Sequence, residues 1–149
     1  MDVRTIPKSR RNPQFGQDQL AASLEQHAIR YIHVPGLGGL RHARKDSINT
    51  GWKNASFRGY ADYMQTPAFG ENLAKLLELA SGGPTAIMCA EAVPWRCHRS
   101  LIADALIARG IQVEHILTAT SSKPHTCTPF AQVDGGVVTY PGLPLSESC

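Results

Sequence analysis

Apolar positions along the chain fall into two kinds of block, some repeating at helical spacing and some running continuously. Leu20, Ala21, Leu24 and Ala28 share one face of a helix predicted from about Asp18 to Ala28. Phe57, Tyr60, Ala61 and Met64 repeat at the same spacing. Thr66-Pro67 opens the next helix, Thr66 as its cap and Pro67 in the first turn, where a missing N–H is tolerated. Phe69, Leu73, Leu76, Leu77 and Ala80 form its buried stripe, and Gly82-Gly83-Pro84 ends it. A last helix is expected from about Cys97 to Arg109, closed by Gly110.

The continuous runs read as strands. They are Asp2 to Ile6, Tyr31 to Val34 (stopped by Pro35-Gly36), Thr85 to Cys89, and Val113 to Leu117. Thr85 to Cys89 fits a central parallel strand covered on both faces. Strand–helix alternation predicts an α/β fold, a small three-layer and mostly parallel sheet flanked by helices with right-handed crossovers. Residues 36–56 form a long polar loop, uncommon in a compact domain and often functional. Beyond Thr118 the chain is punctuated by Pro and Gly, with one strand-like run from Gly136 to Tyr140. The expectation is one domain over 1–149, a core of 1–118 wrapped by a tail of 119–149.

Composition narrows the class. The chain has 149 residues, long enough to bury a core without disulfides or metals; 42% are hydrophobic and 18% charged, a globular balance. No apolar run approaches the ~20 residues of a membrane helix. The opening Met1-Asp2-Val3-Arg4 has no apolar segment of a signal peptide. The four cysteines, Cys89, Cys97, Cys127 and Cys149, form no CxxC pair and are too sparse for a secreted disulfide framework. Reduced thiols and a cytoplasmic location are expected, with no membrane partner. Net charge is +3, yet residues 1–60 hold ten Lys/Arg against four acids, which suits an anion-facing side.

The candidate chemistry lies between Cys89 and Arg99, where the end of a buried strand passes through a loop to the start of a helix. Ligands bind at such places in open α/β sheets, and helix N-termini favour anions. Arg96, His98 and Arg99 put cations at that positive end, unfavourable by roughly 0.3–1 kcal/mol each. They are therefore read as serving a bound anion, with Arg4, at the end of its own strand, as a further clamp. Cys97 sits beside His98 and Arg99, where a thiol has a lowered pKa. Cys97 and Cys89 can supply a nucleophilic thiolate, a redox pair or, with His98, part of a metal site. The spacing matches none of the usual zinc patterns, so no metal and no cofactor are expected. Glu91 is a candidate acid or base, or the partner of an arginine. Cysteine phosphatases and rhodaneses also place Cys at a strand end and Arg near a helix start. Here Cys89 to Arg96 is C-x6-R rather than C-x5-R, the loop has no glycine, and the likeness is one of analogy.

Two weaker signals stand apart. Gly36-Leu37-Gly38-Gly39 follows a strand, but no helix opens after it, so it reads as a turn bordering the site rather than a dinucleotide loop. Trp52, Phe57, Tyr60 and Tyr63 interleave with Lys53 and Arg58, a pattern compatible with single-stranded nucleic acid.

The chain resembles the bacterial domain of unknown function 488 family. The carriers are Asp2-Val3-Arg4 with Pro7 and Ser9, Leu37-Gly38-Gly39, and Phe57 with Tyr60 and Met64. Cys89-Ala90-Glu91, Cys97-His98-Arg99, Pro124-His125, Thr128-Pro129 and Asp134-Gly135 continue the likeness. The resemblance implies a compact α/β fold and a loose association of some members with DNA repair. Members begin with a further strand, an Ile-Gly-His-Ser/Thr-like turn and a helix, so this chain is expected to lack the first β–α unit of its family.

The reading favoured is a small protein with a Cys/His/Arg anion-binding site at 89–99, acting on a phosphorylated or otherwise anionic substrate. Cys97 or Cys89 would be the reactive group, His98 the proton carrier, and Arg99, Arg4 and Arg96 the anion clamps. The alternative is a nucleic-acid-binding accessory protein using the basic loops at 4–11 and 41–58. The partner is thus a small anionic ligand or a nucleic acid.

Overall fold

The computed structural model describes residues 1–142; residues 143–149, with Cys149 and the end of the expected wrapping tail, lie outside the described residues. Helices run over Gln17–Gln26 (α1), Ala55–Met64 (α2), Pro67–Ala80 (α3) and Arg99–Ile107 (α4). Each overlaps a segment marked out by helical spacing. Thr66 caps α3 by accepting from the Phe69 N–H, and Asn54 caps α2 by accepting from the N–H groups of Ser56 and Phe57. These side-chain acceptors satisfy donors that the first turn leaves without intrahelical partners.

The core centres on α4. Ser100 to Leu106 are all buried, so this helix has no solvent face over that length. A helix buried on every side belongs in the middle of a fold, and its polar members Ser100 and Asp104 are hydrogen-bonded there. Leu101 and Ile102 pack with Tyr60 of α2, Leu73 of α3 and the loop residues Val3, Val34 and Leu37. The Tyr60 hydroxyl, buried with its ring, donates to the Leu37 carbonyl at 2.9 Å.

The expected three-layer parallel sheet is not what forms. The strands among the described residues are Glu114–Thr118 (β1), Ser121–Pro124 (β2), Gln132–Asp134 (β3) and Val137–Thr139 (β4), paired as two antiparallel two-stranded sheets. Val113 to Leu117 and Gly136 to Tyr140 are extended as expected, but each belongs to a hairpin. The β3–β4 turn is Gly135-Gly136 with φ of 56° and 80°, the left-handed pair that a two-residue hairpin turn requires.

Of the expected parallel strands only isolated contacts survive, Asp2 bridging to His33 on one side and to Met88 on the other. The Asp2 N–H donates to the Ile32 carbonyl and the Val34 N–H to the Asp2 carbonyl; across the other edge Val3 N–H donates to Met88 and Met88 N–H to Met1. The ladder stops at the next residue because side chains take its backbone. The Arg4 N–H donates to Asp2 Oδ1 at 3.1 Å, and the His33 ring Nε2 lies 2.7 Å from the Arg4 carbonyl. A strand whose N–H and C=O are satisfied by side chains has nothing left to pair with a neighbour. Thr85 and Ala86, assigned above to a strand covered on both faces, are exposed.

Even so, these bridges bring the residues after Val3, Val34 and Met88 to one end of the molecule, beside the start of α4. No helix among the described residues is long and apolar enough to cross a membrane.

Candidate functional site

Cys89 lies just past the Met88 bridge. Cys97 ends a short 3-10 turn over Pro94–Arg96, and His98 is the residue before α4. Pro94 is buried and anchors the turn, while the Cys97 N–H donates back to its carbonyl at 3.1 Å. The loop thus folds Cys97 onto Cys89, and the two Sγ atoms lie 2.7 Å apart. Both are free thiols. Cys97 is buried and Cys89 half-buried.

Donors converge on Cys97 Sγ. The Arg99 backbone N–H and its guanidinium Nε each approach at 3.4 Å, and His98 Nδ1 lies at 3.6 Å. The Glu91 N–H donates to Cys89 Sγ at 3.3 Å. These contacts pull the two thiols apart in acidity. The hydrogen bond from Cys89 lowers the Cys97 pKa; burial opposes this, and His98 and the Arg99 N–H reinforce it. Cys89 moves upward, first because its proton is held toward Cys97 and then through burial. These shifts favour the charged form at Cys97 and the protonated form at Cys89. Only the thiolate is strongly nucleophilic.

The site opens into a cavity of about 450 Å³ lined by Cys89, Cys97, His98, Glu91, Arg96 and Arg4, together with Thr5, Gly39, Asn54 and Phe57. Six sequence candidates therefore share one concavity. Arg99 is not on its wall; its guanidinium reaches Cys97 from the side and its Nη2 donates to the Glu91 backbone carbonyl. The Glu91 carboxylate pairs with no arginine and accepts from the Val93 N–H at 3.3 Å within its own loop. Arg4 is 6% exposed, and its guanidinium is engaged by Asp2, Nε to Oδ1 at 2.9 Å and Nη2 to Oδ2 at 2.7 Å. Arg96 is exposed at the cavity rim.

Gly39, read from sequence as part of a bordering turn, backs directly onto the site. A Cβ there would lie 2.6 Å from His98 Nδ1, so only glycine lets the ring sit where it does. Thr5, Asn54 and Phe57 were not singled out for this cavity, since nothing in their local pattern marks them. Chain folding, not spacing, delivers them. His98 Nε2 is buried without a hydrogen-bond partner among the described residues.

One ligand atom each from Cys89, Cys97 and His98 lie within 4.8 Å of one another, close enough to meet at one metal ion. Among the described residues no fourth Cys, His, Asp or Glu joins this group; three protein ligands fall short of a structural zinc site but equal the number in a catalytic one with an open position.

In the stretch 41–63 the aromatic side chains are buried or half-buried, whereas His42, Arg44, Lys45 and Lys53 are exposed. Trp52 packs tilted against Phe57 and edge-on against Phe130, at centroid distances of 4.9 Å in both cases. The Arg58 guanidinium donates to the Trp52 carbonyl, Arg41 lies 3.6 Å over the Tyr63 ring, and Arg44 pairs with Asp46. Lys8, Arg10 and Arg11 in the first basic loop are exposed.

No curated protein and no solved structure matches the chain. A family model does match, over residues 1–106, which takes in the cavity, both cysteines and α4 up to its last turn; the chain belongs to the family described as Domain of unknown function DUF488.

Proposed function

We propose that the protein is a thiol-dependent enzyme that takes a small anionic substrate into the Cys89–Arg96 cavity, with Cys97 as its nucleophile. The observation carrying this reading is the convergence of the Arg99 N–H and Nε on Cys97 Sγ, each at 3.4 Å, with Cys89 Sγ 2.7 Å away. Buried sulfur held as thiolate beside an accessible concavity is costly in stability unless the charge is used, and nucleophilic catalysis uses it. The Arg96 guanidinium at the rim has no hydrogen-bond or ion-pair partner among the described residues and supplies positive charge to an entering anion.

In this reading Cys97 Sγ gives its electron pair to the electrophilic centre of the substrate. The leaving group departs with the electrons of the broken bond and takes a proton through His98 Nδ1, the ring nitrogen 3.6 Å from Cys97 Sγ, because Nε2 is buried. Water then breaks the thioester-like or thiophosphoryl bond, returns its proton to His98 and restores the thiolate. Inorganic phosphate is the simplest anion to try against Arg96, the cavity cation with no acidic partner among the described residues; Arg4 is paired with Asp2, and Glu91 shares the wall.

The test is alkylation of Cys97 by iodoacetamide at mildly acidic pH, followed by mass spectrometry. Cys97 should react well below the ~8.5 of a free thiol. Inorganic phosphate and pyrophosphate should protect it saturably, at equal ionic strength against chloride, and Arg96→Ala should weaken that protection. A Cys97 that stays silent until alkaline pH, or equal protection by chloride, would overturn the proposal.

A further inference from the structure

Cys89 and Cys97 hold their sulfurs 2.7 Å apart with no bond between them. A disulfide spans about 2.05 Å, so forming one brings the sulfurs closer by only about 0.7 Å. The two residues stand eight apart in sequence, and the turn anchored by buried Pro94 supplies the approach.

A nucleophile needs donors around it, and Arg99 and His98 already provide these to Cys97. A second sulfur in contact adds something those donors cannot, a partner to which Cys97 can be bonded. The surroundings of Cys89 suit a thiol that gives up its proton. Its Sγ lies 3.6 Å from the Glu91 carbonyl, to which the S–H can donate, and the Glu91 N–H donates to the same sulfur at 3.3 Å. The carbonyl holds the thiol; the N–H stabilises the charge that develops when the proton leaves. Both cysteines line the cavity of about 450 Å³, so a molecule of a few heavy atoms reaches Cys97 although that residue is only 4% exposed.

We propose that Cys97 and Cys89 form a hydroperoxide-reactive pair, Cys97 taking the oxygen and Cys89 closing an intramolecular disulfide that shuts the site until a dithiol reopens it. The proposal rests on Cys97 as the reactive sulfur and adds an oxidant class and a means of control to that role.

The Cys97 thiolate attacks the outer oxygen of the hydroperoxide. The O–O bond breaks, and the alkoxide or hydroxide that leaves takes a proton from solvent. Cys97 is then a sulfenic acid, oxidised by two electrons. Cys89 Sγ attacks that sulfur, the S–OH bond breaks, and the departing hydroxide with the Cys89 proton makes water. With hydrogen peroxide, two thiols and one peroxide give one disulfide and two waters. A dithiol restores both thiols through a mixed disulfide and is itself oxidised. The electron pair committed to the disulfide is the one with which Cys97 would attack a substrate, so the oxidised protein has no nucleophile. A reachable thiolate beside a resolving thiol is the arrangement that oxidises selectively and reversibly.

One equivalent of hydrogen peroxide added to the reduced full chain near neutral pH tests this, with free thiols then blocked and tryptic peptides weighed without reduction. Trypsin cuts between the two cysteines, after Arg96, so the disulfide joins peptide 76–96 to peptide 97–99. The joined pair should dominate the oxidised monomer and disappear with dithiothreitol. It is read in the parent protein and depends on no variant folding. Cys127, half-buried and not on the cavity wall, should stay reduced. In Cys89→Ser the sulfenic acid of Cys97 has no resolving thiol, and dimedone should label it about tenfold more than in the parent. Absence of the joined pair, oxidation of Cys127 to the same extent, or equal dimedone labelling with and without Cys89 would overturn the proposal. Acidic alkylation of Cys97 with phosphate protection but no joined pair removes the redox role and leaves the anionic substrate standing; a joined pair without phosphate protection supports the redox role and removes the anionic substrate.

Discussion

Arg99 donates to Cys97 twice, through its own backbone N–H and through its guanidinium Nε, each at 3.4 Å from Sγ. This explains why a cation stands in the first turn of α4, where the helix dipole disfavours it. The lowered pKa of Cys97 favours the negative charge that the dipole calls for, and Arg99 completes the shell of that sulfur. The guanidinium also ties the 91–97 loop down through the Glu91 carbonyl.

Replacing Arg99 should therefore change Cys97 before it changes the fold. Arg99→Ala keeps the backbone donor and removes the charged one. The apparent pKa of Cys97, from the pH dependence of alkylation, should rise by about one unit, the equivalent of about 1.4 kcal/mol and in the range of a charge-assisted hydrogen bond. Arg99→Lys retains the charge but loses the planar fork, and should fall between the two. An unchanged pH profile in Arg99→Ala would show that the guanidinium does not hold the thiolate.

The split between the two thiols also gives stability a specific pH dependence. Cys97 has a folded pKa below its unfolded one, so its contribution is full above the ordinary thiol range and is lost as pH falls through the folded value. Cys89 is shifted upward, so its contribution is full below the ordinary thiol range and declines as pH rises beyond it. Together they should give a maximum near the unperturbed thiol pKa of ~8.5. Urea unfolding of the protein and of Cys97→Ser across pH should differ by that maximum, and parallel curves would count against the split.

The helices could be read from the sequence because their signals are local. The Thr66-Pro67 start of α3 and the apolar stripe behind it need no knowledge of the rest of the chain. Cys89, Cys97, His98 and Arg99 could be grouped for the same reason: they are near in sequence and straddle one loop. The sheet could not, because the apolar runs at 2–6, 31–34 and 85–89 do lie side by side but stop pairing at Arg4. What stops them is the reach of two side chains into the Arg4 backbone: Asp2, a local contact that leaves no mark on hydrophobic periodicity, and His33, a tertiary one. The hydrogen-bonded line from Asp104 through His125 to His115 was invisible for a similar reason, since its members are spread over α4, β1 and the residue after β2.

Gly39 should be intolerant of a methyl group. Gly39→Ala places a Cβ 2.6 Å from His98 Nδ1, and the ring must leave its position 3.6 Å from Cys97 Sγ. Overpacking of this kind costs about 1–3 kcal/mol, and the alkylation pKa of Cys97 should rise with it. Gly70 within α3 meets nothing within 4 Å, so Gly70→Ala should instead stabilise by roughly 0.5–1 kcal/mol. Equal melting temperatures for the two variants would refute the close contact.

The last prediction concerns Asp2, the residue where three chain segments meet. Its backbone bridges to both His33 and Met88, and its carboxylate accepts from Arg4 and the Tyr31 hydroxyl. Burial alone would raise its pKa; the hydrogen bonds from Arg4 and Tyr31 prevail and lower it. Burial first, and then Asp2, push Tyr31 up to about 12. Removing the carboxylate leaves Arg4, 6% exposed, as a buried cation with no counter-charge. Asp2→Ala should thus destabilise the protein by about 3–5 kcal/mol, the usual cost of breaking a buried pair from one side. Asp2→Ala with Arg4→Met removes both charges and should recover a substantial part of that loss. Because Val34 N–H donates to the Asp2 carbonyl and Met88 N–H to the Met1 carbonyl, hydrogen exchange at Val34 and Met88 should accelerate in the single variant. Met88 precedes Cys89, so the same variant should also reduce alkylation of Cys97 at acidic pH. With a folded pKa below the ordinary ~3.9, the stability Asp2 contributes is complete above that value and is lost as pH falls below it. The single variant should therefore approach the parent in stability only at strongly acidic pH. If the single and double variants lose the same stability at neutral pH, the unpaired Arg4 charge is not the source, and the backbone bridges would have to be weakened by the loss of the side chain itself.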